Sequence, residues 1–174
     1  HGDLPQISWM KLRWLRLLAA RGDWPTFLKY YDPKLNFTEL DCLFGQYQLG
    51  RGLPEGDATA ERLWLVGKSQ PEACDVLFTQ WTAKGGLTEE RRWKRTKLAV
   101  EAGNYGLASF LTKNLSSLRG HGELLVEVAQ KPQMLSQTAR FSGSHPAMAD
   151  VVAIGLRRLA RQVPGEALGL LAGY

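Results

Sequence analysis

Apolar residues recur along this 174-residue chain at intervals of three and four, the spacing that brings side chains onto one face of an α-helix. Between positions 6 and 20, Ile7, Met10, Trp14, Leu17 and Leu18 make one stripe, and Trp9, Leu12 and Leu15 make a second. Two apolar sides predict a helix packed between two neighbours, with Lys11, Arg13 and Arg16 laying their stems on apolar surface and extending their charges to water. The same spacing predicts helices over 24–30, 38–50, 58–66, 88–102, 105–113, 123–130, 133–139, 147–161 and 165–171. A further helix is expected from Ser69 to the break at Gly85-Gly86.

The ends of these segments carry residues suited to ending helices. Gly22 and Gly67 stop helices, Pro33 ends the 24–30 element, and Asp23 and Asp57 are expected N-caps. Ser69-Gln70-Pro71-Glu72 has the form of a capping box, in which the Ser hydroxyl takes a backbone N–H and Glu72 reaches back to the cap's own N–H. Glu89 and Glu90 precede Lys94, Arg95 and Lys97 in the 88–102 helix, the order a helix dipole favours. A faint repeat also emerges. Leu18-Ala19-Ala20-Arg21-Gly22-Asp23-Trp24 resembles Ala99-Val100-Glu101-Ala102-Gly103-Asn104-Tyr105 at an offset of 81. In both, Gly is expected to form a left-handed C-cap, Asp or Asn to cap the next helix, and the aromatic to pack between the paired helices. That offset is about two helix-pair units of roughly 34–47 residues each, as in stacked helical arrays.

Composition narrows the fold class. Leu occurs 28 times and Ala 17, against 8 Val and 2 Ile. Straight-chain and small residues lose little entropy in a helix, whereas β-branched ones suit sheets, so the chain is expected to be all-α. Short capped helices with brief connections predict stacked antiparallel pairs. The whole of 1–174 reads as one helical segment. No apolar run approaches the ~20 residues that cross a bilayer, so no membrane span is expected. His1-Gly2-Asp3 lacks the layout of a secretory signal, and His1-Gly2 looks like a remnant of expression, so the chain reads as a piece of a longer protein.

Candidate chemistry is sparse. His1, His121 and His145 have no metal-ligand spacing, and His121 in a Gly-flanked stretch and His145 beside Ser144, an expected N-cap, read as solvated turn residues. No metal or cofactor is expected, because no phosphate-binding loop or dinucleotide fingerprint is present. The glutamates sit at helix starts and on charged faces, away from the buried setting that a general acid needs. Net charge is +5, from 22 Lys and Arg against 17 Asp and Glu, which favours anionic polymers in general. Arg91-Arg92-Trp93-Lys94-Arg95 could be imagined on a phosphate backbone, but on a helix these bases spread round the circumference while Trp93 turns inward with Val100. Nucleic acid is therefore not expected as a partner. Most of the six tryptophans, at helical spacing beside Leu and Ala, read as core before they read as sugar platforms. Cys42 and Cys74 are 32 positions apart and could be two buried thiols or one bridge, according to compartment.

Four stretches carry a family resemblance: LRWLRLLAARGDWPTFL, TELDCLFGQYQLGRG, LWLVGKSQPEACDVLFTQW and LAVEAGNYGLASFL. They resemble the N-terminal helical domain of the soluble lytic transglycosylases, bacterial enzymes that cleave murein glycan strands. In the third stretch Trp64-Leu65, Gly67, Ser69, Pro71, Ala73-Cys74-Asp75 and Leu77-Phe78 match in order and spacing. The resemblance implies a right-handed α-α superhelix of stacked antiparallel helix pairs, which in the family joins a linker domain and a lysozyme-like catalytic domain. It also implies a periplasmic location, and with it a disulfide between Cys42 and Cys74. The family cuts the β-1,4 bond between N-acetylmuramic acid and N-acetylglucosamine, closing a 1,6-anhydro ring through a glutamate in a Glu-Ser motif. None of the ten glutamates here is followed by Ser, so no catalytic residue carries over and the fragment is expected to be inactive by itself. The partners implied are glycan strands, engaged through the parent enzyme, and that enzyme's remaining domains. The rival expectation is a tetratricopeptide-like solenoid gripping a protein or peptide, whose regular repeat near 34 residues is not found in this sequence.

Overall fold

The computed structural model describes residues 5–171, 173 and 174, so His1, Gly2 and Asp3 lie outside the described residues. Among the described residues the secondary structure is entirely helical. Ten α-helices run α1 Pro5–Ala20, α2 Trp24–Tyr30, α3 Thr38–Gly50, α4 Glu55–Trp64, α5 Ala73–Ala83, α6 Glu89–Glu101, α7 Tyr105–Lys113, α8 Arg119–Gln130, α9 Pro146–Gln162 and α10 Pro164–Leu171. Short 3-10 turns occupy Pro33–Leu35, Pro132–Ser136 and Thr138–Phe141. The chain divides into two compact units, the first holding α1 to α5 and the second α6 to α10 together with Leu65–Ser69.

In the first unit, Leu12, Leu15, Leu18 and Ala19 of α1 bury against Phe27 and Leu40, with Trp24, Tyr31 and Phe44 packed round them. Only one side of α1 is covered. Ile7, Met10, Trp14 and Leu17 stay exposed, Met10 at 72%, although the Trp14 ring meets Tyr30 of α2 edge-on. α3 packs on both α4 and α5. Its approach to α5 is close at Gly45, where a Cβ would sit 3.0 Å from the Leu77 methyls. In the second unit α8 packs between α7 and α9, and Leu125, Val128, Leu135, Val151 and Leu159 are buried.

The repeated cap forms twice with one geometry. Gly22 and Gly103 adopt φ of 73° and 74°. The following Asp23 and Asn104 N–H groups reach back to the Leu18 and Ala99 carbonyls at 2.9 and 2.8 Å. The Asp23 and Asn104 side chains then cap α2 and α7, accepting from Thr26 N–H and Leu107 N–H, each at 3.2 Å. These are paired C-cap and N-cap solutions that satisfy the orphan groups at both helix ends.

Several boundaries differ from expectation. α4 starts at Glu55, directly after Pro54, and Asp57 lies inside its first turn, where its carboxylate accepts from Trp81 Nε1 at 2.6 Å. It ends at Trp64, short of Gly67. The Ser69 capping box does not form. α5 begins at Ala73 with Glu72 at the cap position making no side-chain hydrogen bond. Gln70 instead donates its amide to the Leu63 carbonyl, which ties it to the end of α4. α8 begins at Arg119, because Gly122 is a site of close approach to Thr112 and Leu115 and not part of a loop. The helix expected over 133–139 is replaced by two 3-10 turns that break at Gln137.

Candidate functional site

The cysteines meet between the two helices whose packing Gly45 permits. Cys42 of α3 and Cys74 of α5 are bonded, with Cα atoms 4.9 Å apart and both residues fully buried. One turn further along α3, Gln46 Nε2 donates to the Ala73 carbonyl at 2.6 Å, so residues 42, 45 and 46 form the face that receives the start of α5. The arrangement is structural, because a buried disulfide offers no thiolate.

Of the two described histidines, His121 is helical, whereas His145 is exposed and lies just before α9. His121 lies in the first turn of α8 and its ring is 4.9 Å from that of His145. His145 itself caps α9: its Nδ1 accepts from Ala147 N–H at 3.1 Å, the part expected of Ser144. Burial, then the charge of His145, pushes the His121 pKa down. No group of three or more His, Cys, Asp or Glu suited to a metal occurs among the described residues.

Trp64, Trp81 and Trp93 are buried, whereas Trp9 and Trp14 of α1 are exposed, Trp9 against the Phe37 ring and Trp14 against Tyr30. With Trp24 packed on the core of the first unit, most of the six are placed as expected, and those two are the exceptions. The basic run on α6 is mostly engaged. Arg95 is only 4% exposed, donates to the Lys68 carbonyl at 3.2 Å, and is pulled down to a pKa of about 10 by burial. On α9, Arg158 stacks over Tyr105 and donates to its hydroxyl at 2.8 Å. Arginines committed to internal carbonyls and rings do not form a phosphate-binding face.

The displaced carboxylates shift in the direction opposite to that of a catalytic acid. Glu89 is lowered chiefly by the backbone N–H of Leu118, with Ser117 and Ser116 adding to it. Hydrogen bonding to Lys94 lowers Glu90. Burial acts to raise Asp150, but hydrogen bonds from Lys97 and Trp93 and the charges of Lys97 and Arg157 outweigh it. A general acid working near neutrality needs the reverse.

A concavity of about 490 Å³ lies between α6 and α9. Both helices present positions i, i+3, i+4 and i+7 to it: 94, 97, 98 and 101 from α6, and 150, 153, 154 and 157 from α9. Leu65, Leu98, Ala153 and Ile154 form its apolar floor. Across it Lys97 Nζ meets Asp150 at 2.7 Å and Arg157 meets Glu101 at 3.1 Å. Contacts advance in the same sense along both helices, so α6 and α9 run parallel. No sequence signal short of the fold would have found this groove, because its walls are 53 to 56 positions apart.

Similarity to known proteins is extensive. The chain is 68% identical to the lytic transglycosylase Slt from Pseudomonas aeruginosa, solved as an inactive mutant, with a TM-score of 0.96 over 100% of this chain and 28% of that one. A 70-kDa soluble lytic transglycosylase solved in complex with bulgecin A gives a TM-score of 0.74 at 30% identity, over 97% of this chain and 28% of that one. The soluble lytic murein transglycosylase of Escherichia coli is 31% identical over 162 residues, 91% of this chain and 25% of its own length. The chain thus spans about a quarter of the curated relatives it matches. A family described as Cucumovirus coat protein also matches residues 37–134. Those residues fall inside the stretch that agrees with the Pseudomonas enzyme in both sequence and backbone, and agreement of both kinds over the whole chain outweighs a partial sequence match.

Proposed function

The chain belongs to the soluble lytic murein transglycosylases, and we propose that it serves such an enzyme as a non-catalytic stretch of helical scaffold. On this reading 1–174 is one segment of a right-handed superhelix in a periplasmic protein. The parent's catalytic domain cleaves the bond between N-acetylmuramic acid and N-acetylglucosamine and closes a 1,6-anhydro ring. The observation that carries the reading is the match over 100% of this chain but only 28% of the Pseudomonas enzyme, coupled with the lack of any Glu-Ser pair. Downward-shifted carboxylates and a buried disulfide support it, since both serve rigidity and neither serves proton transfer.

The exposed apolar faces fit the same role. Ile7, Met10, Trp14 and Leu17 on α1, and Leu168 and Leu171 on α10, are surfaces of the kind that neighbouring helices cover in a longer array. No helix among the described residues is long and apolar enough to cross a membrane. The excess of basic residues gives the scaffold weak, salt-sensitive attraction for anionic murein.

Incubating the chain with purified murein sacculi tests both halves of the proposal. The expected result is no release of 1,6-anhydro products, together with retention on sacculi that declines as salt is raised. Release of such products by this chain alone would overturn the non-catalytic assignment, and retention indifferent to salt would overturn the electrostatic part.

A further inference from the structure

We propose that the groove between α6 and α9 binds the peptide portion of murein, an inference that rests on the murein reading for the source of its ligand. Its volume of about 490 Å³ lies in the range of small-ligand sites and suits a few residues of extended peptide. The floor is aliphatic. Trp93, the aromatic beside it, is buried and its indole N–H is held by Asp150 at 2.9 Å, so the groove offers no ring face on which a pyranose could stack.

Its rim carries both signs of charge, which suits a ligand with carboxylates and N–H groups better than a uniformly anionic polymer. Trp93 and Lys97 both donate to Asp150 Oδ2, which fixes that carboxylate in place. Among the described residues no hydrogen bond reaches Asp150 Oδ1, which is left as an acceptor for a peptide N–H or ammonium. Lys94 stands one helical turn before Lys97 on α6, and Arg157 stands about two turns beyond Asp150 on α9. Their partners, Glu90 at 3.0 Å and Glu101 at 3.1 Å, form solvent-exposed pairs that are cheap to exchange for a ligand carboxylate. The pattern is therefore cation, acceptor, cation over an apolar floor. A short peptide with carboxylates on either side of its amide groups matches it, with its small apolar side chains against Leu98 and Ala153.

Titration of the chain with the free stem tetrapeptide of murein, followed by amide chemical shifts, tests the site. Shifts are expected to concentrate at 94–101 and 150–157. Affinity should fall about five-fold or more in Lys94→Ala/Arg157→Ala. These exposed side chains can be removed with the fold intact, which the far-UV spectrum and melting midpoint verify. Ala153→Trp, at an exposed position on the floor, should block binding while leaving both charges in place. The proposal is overturned if the peptide shifts residues elsewhere or none at all. It is also overturned if a peptide-free N-acetylglucosamine tetramer occupies the groove equally well. Equal binding of an all-L peptide of the same composition would reassign the groove to a protein segment. Retention on sacculi without peptide shifts removes the groove and spares the murein reading, whereas peptide shifts without retention do the opposite.

Discussion

Gly67 is held against the backbone of α6 so closely that a Cβ would collide with the Leu98 carbonyl oxygen and crowd the Ala102 methyl. Since the obstacle is backbone, the neighbour cannot swing aside, and Gly67→Ala should cost about 1–3 kcal/mol, measured by urea unfolding. A second residue-scale effect concerns His121, in the first turn of α8 beside the ring of His145. Its pKa is lowered from 6.5, so the unfolded chain binds the proton more readily than the folded one. Stability is then full above about pH 6.5 and falls as the pH drops towards the lowered folded value. Thermal melts between pH 7.5 and 5 should show this decline. His145→Asn keeps an N-cap acceptor and removes the neighbouring charge that helps to lower His121, so it should lessen the decline and leave the neutral-pH midpoint nearly unchanged.

At the scale of elements, α3 and α5 are joined by Cys42–Cys74, with Gln46 and Gly45 on the same α3 face. A bridge closing a loop of 32 residues restricts the unfolded chain by about 3–4 kcal/mol in the chain-entropy model. Cys42→Ala/Cys74→Ala should lose an amount of that order, with amide-exchange protection falling mainly in α3 to α5. The caps at Gly22-Asp23 and Gly103-Asn104 were legible in the sequence because every bond they make is local, within six residues of chain. The capping box at Ser69 was not, because the competing partners lie elsewhere: Gln70 reaches Leu63, and Leu65–Ser69 packs in the second unit beside α6. Asp57 failed as a cap for a related reason, since its carboxylate is drawn to Trp81. The α6–α9 groove was illegible altogether. Its helical faces could be read, but the pairing of 97 with 150 and 101 with 157 is a tertiary fact.

At the scale of the whole chain, the two apolar stripes expected on α1 meet different fates: Leu12 and Leu15 are buried, while Met10 and Leu17 are left in water. α10 repeats the situation with Leu168 at 70% exposure and Leu171 at 54%. A helix that must be covered on both sides is a poor terminus for a free-standing domain but an ordinary member of a stacked array. In isolation such faces should find one another, so sedimentation velocity should detect association that grows with concentration and strengthens with salt as charge repulsion at +5 is screened. Met10→Lys/Leu168→Lys should hold the chain monomeric at little cost in melting midpoint, because neither side chain is buried in its own unit. If these substitutions instead unfold the chain, the two faces belong to its own core, and the scaffold reading loses the support it draws from them.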